Sequence, residues 1–123
     1  MATVIKLLPE LDERGLNVKI VCATSPQLFA LQPEEYREQV LSPEDWCDST
    51  VITTQARWLM HDWLFSRVSE EYALSSDWDD RWRTGGTLEE LVDEAHLSPR
   101  WVLEGIERFV RERESRLARL TGL

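Results

Sequence analysis

Apolar and polar residues recur along this chain with two periods, which together predict an α/β protein. Leu16 to Ala23 holds a short apolar run behind Gly15, a typical helix stop, and is predicted to be a strand. Thr50 to Gln55 is rich in β-branched residues and is predicted to be a second strand, with Tyr72 to Ser76 as a short third. The 26 residues from 24 to 49 are too many for a hairpin and favour a parallel crossover.

Helical periodicity fills the segments between these strands. Helices are predicted at Val4 to Glu13, although Pro9 weakens the pattern, and at Pro33 to Leu41. From Ala56 to Glu71 apolar residues recur every four positions, which predicts one amphipathic helix.

Capping residues mark three further helix starts. Ser42 is expected to cap a short turn that begins at Pro43. Thr87 and Glu90 form a capping-box pattern for a helix that reaches about His96. A last helix is predicted from Ser98 to about Leu120. Its solvated face is expected to carry the i, i+4 pairs Glu104/Arg108, Glu107/Arg111 and Glu112/Arg116.

Length and charge restrict the class of protein. The chain has 123 residues, enough for a single domain over residues 1–123, and a net charge of −9 from 14 basic and 23 acidic residues. An acidic body repels phosphate groups, so neither nucleic acid nor a membrane is an expected partner. Two distant cysteines, Cys22 and Cys47, indicate a reducing, cytoplasmic setting and not a disulfide framework.

Candidate chemistry is sparse. Only His61 and His96 offer imidazoles, and neither has the spacing of a zinc motif. His61 is next to Asp62, and adjacent residues of a helix are not expected to face one another. Cys22 is predicted to be a buried strand residue, and Cys47 lacks a setting that would activate a thiol. We therefore predict no catalytic, cofactor-binding or metal-binding residue.

The segment from residue 77 to residue 87 is the candidate for binding. It combines aromatic and basic side chains with a glycine turn ahead of a capped helix, namely Trp78, Arg81, Trp82, Arg83 and Thr84-Gly85-Gly86-Thr87. Exposed amides at such a turn attract anions, although an ordinary tight turn is the commoner case. The carboxylates Asp77, Asp79 and Asp80 lack EF-hand spacing, so a solvated loop is favoured over a calcium site. An independent protein- or anion-binding module is therefore one hypothesis.

A family resemblance gives the other hypothesis. Five segments follow one another in the order of the C-terminal domain of transketolase, a thiamine diphosphate-dependent enzyme: Leu11 to Ala23, the F-x-x-Q-x-x-x-Y-R-x-x-V-L pattern of Phe29 to Leu41, Tyr72 to Ser76, Trp82 to Thr87, and Leu88 to Val110. The resemblance implies a three-layer α/β/α fold with a mixed sheet that lacks its first strand or strands. Leu16 to Ala23 then pairs with Thr50 to Gln55, or another chain supplies a strand, or the chain is truncated at its N-terminus.

The resemblance also implies a role. In this family thiamine diphosphate and magnesium bind to the upstream domains, so the C-terminal domain is structural. The chain is then expected to be the non-catalytic assembly domain of a transketolase-like enzyme that transfers two-carbon ketol units between sugar phosphates. It is expected to be inactive alone, to contact the catalytic domains or subunit, and to belong to a homo-oligomeric, dimeric enzyme of the cytoplasm.

Overall fold

Helices dominate the computed structural model, which describes residues 2–79 and 85–121. They account for 61% of the described residues, against 2% in strands, and these residues form no sheet. The predicted three-layer α/β/α architecture with a mixed sheet is therefore wrong.

The helices follow one another in short pieces between longer first and last elements. In chain order they are α1 (Ala2–Glu13), α2 (Pro26–Ala30), α3 (Glu34–Val40), α4 (Pro43–Cys47), a 3-10 helix (Arg57–Trp63), α5 (Arg67–Glu71), α6 (Leu88–Glu94), α7 (Pro99–Arg111) and α8 (Arg113–Thr121). The predicted helices at 4–13, 33–41 and 87–96 are confirmed within a few residues. Helix α2 was not predicted, and its start is set by Ser25, whose Oγ accepts a hydrogen bond from the Leu28 amide.

The predicted strands reduce to one parallel bridge. Ile52 and Leu74 are its two residues, and the Leu74 backbone donates to Val51 and accepts from Thr53 at 3.0 and 2.8 Å. The segment Leu16 to Ala23 has no regular secondary structure. A strand forms only beside a neighbour that satisfies its backbone, so β-branched composition alone does not determine one.

The predicted amphipathic helix from Ala56 to Glu71 is also wrong, because the segment divides. A 3-10 helix ends at Trp63, and α5 starts afresh behind Ser66, whose Oγ accepts a hydrogen bond from the Ser69 amide. Serine competes well for cap positions, so it ends the helical register that the apolar spacing predicts.

The hydrophobic core lies between α1 and α7. The buried faces of the two helices present three aliphatic residues each, Val4, Leu7 and Leu11 from α1 and Val102, Leu103 and Ile106 from α7. Their spacing of three or four residues places each set on one side of its helix. Burial of each such side chain contributes roughly 1.5–3 kcal/mol, so this contact is the largest apolar contribution among the described elements.

The last predicted helix, 98–120, is interrupted at Glu112, where the backbone adopts φ −93° and ψ 15°. Arg116 folds back across the break and donates from Nε and from a terminal nitrogen to the Phe109 carbonyl, at 3.1 and 2.8 Å. Its other terminal nitrogen donates to Asp48 at 2.8 Å. Although Arg116 is 2% exposed, each of its three guanidinium nitrogens donates a hydrogen bond, and the guanidinium carbon lies 3.6 Å from the centroid of the Phe109 ring.

Two further arginines attach α8 to the middle of the chain. Arg113 donates to the same Asp48 at 2.6 Å, and Arg119 forms a two-pronged pair with Glu71 at 2.7 Å. The hydrogen bonds from Arg119 hold the pKa of Glu71 below its ordinary value. The three predicted pairs along this helix are therefore replaced: Arg108 binds Glu112, Glu107 binds Arg14 and Arg116 binds Asp48.

Replacement of Arg116 by Met is expected to lower the free energy of unfolding by roughly 3–5 kcal/mol, because it removes the buried partner of the Phe109 carbonyl and of Asp48. Urea denaturation of the full chain measures the change. The matched control is Arg113→Met, which removes the exposed partner of Asp48 and is expected to cost less than about 1 kcal/mol. Equal losses in the two variants would contradict the role given to Arg116.

Candidate docking surface

The 3-10 helix Arg57–Trp63 is held at its first residue. The Arg57 amide donates to Asp77 Oδ1 at 3.1 Å, and the Ser75 hydroxyl donates to the same oxygen at 2.7 Å. Burial alone would raise the pKa of Asp77, but these hydrogen bonds and the Arg57 charge outweigh it and lower that pKa. The carboxylate is therefore ionised at neutral pH and fixes where the helix begins.

Aromatic rings cluster around this helix. We call them, with the exposed leucines of the α2 segment and of the 3-10 helix, the aromatic surface: Leu28, Phe29, Leu31, Tyr36, Trp46, Trp58, Leu59, Trp63 and Phe65. The Phe29 ring lies 5.2 Å from that of Trp63 and 6.4 Å from that of Tyr36, measured between centroids. Trp46 packs edge-on against Phe65 at 5.1 Å and donates its indole N–H to the Trp63 carbonyl at 3.2 Å. These contacts connect α2, α3, α4 and the 3-10 helix.

Much of the aromatic surface faces solvent. Trp58 is 72% exposed and Leu59 is 62% exposed, while Leu28 and Leu31 on the neighbouring α2 segment are 61% and 78% exposed. Single exposed apolar residues are ordinary, but neighbouring aromatic and aliphatic residues of this size are typical of protein contact sites. The arrangement offers anchors for a partner protein and not an enclosed pocket for a small molecule.

His61 holds the most exposed ring in place. Its imidazole stacks on the Trp58 indole at 4.5 Å and 12°, and its Nδ1 lies 2.8 Å from the Trp58 carbonyl oxygen. Its Nε2 lies 3.1 Å from Asp62 Oδ1, so the expectation that these neighbours do not face one another is wrong. The backbone departs from helical angles at Met60, directly before this pair, so the regular helical geometry on which that expectation rested does not apply here. A ring held in this way loses less conformational freedom on binding.

Acidic side chains accompany the aromatic surface. Glu34, Glu35 and Glu38 belong to α3, and Asp62, 87% exposed at its side chain, belongs to the 3-10 helix. With the net charge of −9, they favour a partner with basic side chains around an apolar centre.

A second set of rings is used within the fold. His96, at the positive φ of 60°, is stacked between Trp78 and Trp101, with ring centroids 3.8 Å away on each side. The Trp78 indole donates to the Glu94 carbonyl at 3.2 Å. This stack joins the segment after residue 75 to the turn between α6 and α7. His96 therefore has a packing role here, and Trp78 remains 41% exposed.

The other residues of the predicted 77–87 binding segment divide into two groups. Asp80, Arg81, Trp82, Arg83 and Thr84 lie outside the described residues. Gly85 and Gly86 adopt φ of 81° and 107°, which favours glycine, and lead into the predicted capping box. In this box Thr87 Oγ1 accepts from the Glu90 amide at 3.2 Å, and the Thr87 amide donates to the Glu90 carboxylate at 3.0 Å. The chain's own side chains therefore already occupy two of the amides that an anion would use.

Ser98 and Arg100 converge on Asp93 at the same turn. The Ser98 hydroxyl donates to Oδ1 at 2.7 Å, and Arg100 donates to both carboxylate oxygens at 2.9 and 2.7 Å. The hydrogen bonds from Arg100 and then Ser98 lower the pKa of Asp93 from 3.8 to about 2. This ionised carboxylate links α6 to the start of α7.

Reactive groups do not converge elsewhere in the described part of the chain. Residues 2–79 and 85–121 contain no group of three or more His, Cys, Asp or Glu side chains able to hold a metal ion. Cys22 and Cys47 are free thiols; Cys22 is exposed, which corrects its predicted burial, and Cys47 is half-buried. The same residues contain no helix with the length and apolar character needed to cross a membrane.

Comparison with known proteins adds no relative: no family model, curated protein or solved structure matches the chain.

The Asp93 contacts give a pH-dependent prediction. A carboxylate with a depressed pKa stabilises the folded state above its ordinary pKa, and this stabilisation is lost as the pH falls from about 4 to about 2. Asp93→Asn is expected to be less stable than the natural chain at pH 7, and the difference is expected to vanish near pH 2. Urea denaturation across this range measures it.

Asp12→Asn is the control, because Asp12 is exposed and forms no ion pair within the described residues. It is expected to match the natural chain at every pH. A difference for Asp93→Asn that persists unchanged to pH 2 would contradict the electrostatic account.

Proposed function

We propose that this chain is a non-catalytic assembly domain that docks onto another protein through the aromatic surface. The observation that supports this most directly is the exposure of Trp58 and Leu59, 72% and 62%, on a helix held by Asp77. Tryptophan anchors of this kind carry a large share of binding energy at protein interfaces. Water release from the apolar rings favours association, and the acidic side chains select a basic rim on the partner.

A transketolase-like, thiamine diphosphate-dependent enzyme is our proposal for the partner. Its support is the ordered sequence resemblance, which includes Phe29 and Tyr36 of the aromatic surface. In this proposal the cofactor and magnesium belong to the partner's catalytic domains, which transfer two-carbon ketol units between sugar phosphates. The chain contributes to a homo-oligomeric assembly in the cytoplasm. The helical fold adds no support, because it lacks the sheet that the resemblance implies.

A second candidate is an independent binding module that uses the 77–87 segment. Its support is Trp78, which is 41% exposed and belongs to the same segment as the positive-φ residues Gly85 and Gly86. A double variant with Arg81→Ala and Arg83→Ala separates the two proposals. If it no longer binds a partner although Trp58 is intact, the module is favoured; if partner binding is unchanged, the aromatic surface is favoured.

Trp58→Ala and Leu59→Ala are both expected to weaken binding to purified transketolase catalytic domains. For Trp58→Ala we expect a loss of about 30-fold or more, because a hot-spot anchor is worth about 2 kcal/mol. Biolayer interferometry with the full chain immobilised measures the affinity. Both variants are expected to keep the unfolding free energy of the natural chain, since the two side chains are mostly exposed.

Leu88→Ala is the matched control, because Leu88 is 77% exposed on α6 and does not belong to the aromatic surface. It is expected to bind as the natural chain does. Equal weakening by Leu88→Ala, or unchanged binding by Trp58→Ala, would contradict the proposed surface. Failure of the natural chain to bind would contradict the proposed partner.

A further inference from the structure

The segment between α1 and α2 has unpaired backbone groups. Leu16 still donates its amide to the Leu11 carbonyl at 2.9 Å, as part of the helix end. Beyond it, the backbone groups of residues 17–24 form no hydrogen bond to any residue in 2–79 or 85–121. These residues thus have free donors and acceptors over a length typical of one β-strand.

The composition of this segment suits a strand. Val18, Ile20 and Val21 are β-branched, which favours a pleated backbone beside a neighbour. Ile20 is 40% exposed and Cys22 is exposed, so apolar side chains are presented together with the unpaired backbone. An exposed strand-forming segment is a template for pairing with another chain.

A shallow groove borders the segment. Its volume is about 710 Å³, and its lining includes Leu8 and Pro9 of α1 and Leu16 and Val18 of the segment. Leu8 is 45% exposed and lies one turn from the buried residues Val4 and Leu11, so it borders the buried face of α1. Alternate side chains of an added strand can lie against such a groove while the backbone pairs.

The charges around the groove select its occupant. Asp12 is the charged residue that lines it, and Glu13 is next to Asp12 in sequence. Neither carboxylate forms an ion pair within the described residues. Lys19, the basic residue of the segment, is already bound to Asp45 at 2.7 Å. The rim is therefore acidic and favours a basic strand.

We propose that residues 17–23 accept a β-strand from a partner protein, one whose apolar residues alternate with lysine or arginine. A second copy of this chain fits less well, because pairing two such segments would bring two acidic rims together. The other two strand-forming segments bridge to each other at Ile52 and Leu74. This inference rests on the proposed docking function and gives it a second contact, distinct from Trp58.

A synthetic nine-residue peptide of alternating valine and lysine is the probe. Titrated into the full-length, isotope-labelled chain, it is expected to shift the amide resonances of residues 17–23 and to slow hydrogen exchange at alternate amides among them. The matched control peptide carries N-methyl groups on alternate residues, which removes its strand donors and keeps its charge. It is expected to bind at least about ten-fold more weakly, because several backbone hydrogen bonds are lost.

The charge requirement has its own variants. Asp12→Asn and Glu13→Gln are each expected to weaken binding of the valine-lysine peptide two- to five-fold, a range typical of exposed ion pairs. Glu89→Gln on α6 is the control and is expected to leave the affinity for the peptide unchanged. Equal binding of the two peptides, resonance shifts confined to the aromatic surface, or no binding would each overturn the proposal. If residues 17–23 are protected from hydrogen exchange without peptide, and this protection grows with protein concentration, the segment pairs with a second copy of the chain. That result would also overturn the proposal.

Trp58→Ala separates this inference from the docking proposal. It is expected to leave peptide binding at residues 17–23 unchanged, since Trp58 belongs to another surface. If the peptide does not bind while Trp58→Ala still weakens partner binding, only the strand contact is rejected. Partner binding that is insensitive to Trp58 would reject the aromatic surface instead.

Discussion

The buried guanidinium of Arg116 is the interaction on which the rest of the arrangement depends. It closes the break between α7 and α8 by binding the Phe109 carbonyl, and it binds Asp48 directly after α4. A buried charge is tolerated only when its donors are satisfied, so three parts of the chain must lie in fixed relation around it. Tyr72, which donates its hydroxyl to Glu112, adds a ring 5.5 Å from the same guanidinium.

This constraint connects the core to the docking surface. On one side of Arg116, α7 packs against α1 through aliphatic residues. On the other, Asp48 positions α4, whose Trp46 donates to the Trp63 carbonyl at the end of the 3-10 helix. The aromatic surface is thus supported by polar contacts as well as by its own rings. This support lets exposed apolar side chains keep one arrangement without burial in the core.

Local signals in the sequence were sufficient for some helix starts but not for the fold. The caps at Ser42 and Thr87 depend on residues three positions apart, so the sequence determines them directly. Pairing of Leu16 to Ala23 with another strand depends on distant backbone, and the chain places none beside it. Likewise, Arg116 was predicted to pair along its own helix, because its actual partner Asp48 is 68 residues away in sequence.

Hydrogen exchange of the full chain, measured amide by amide without any partner, tests this helical account most directly. The account predicts slow exchange in the packed centres of α1 and α7 and fast exchange across residues 17–24, whose amides have no partner in the described chain. Joint protection of residues 16–23, 50–55 and 72–76 would contradict it, because those amides would then be paired in a sheet.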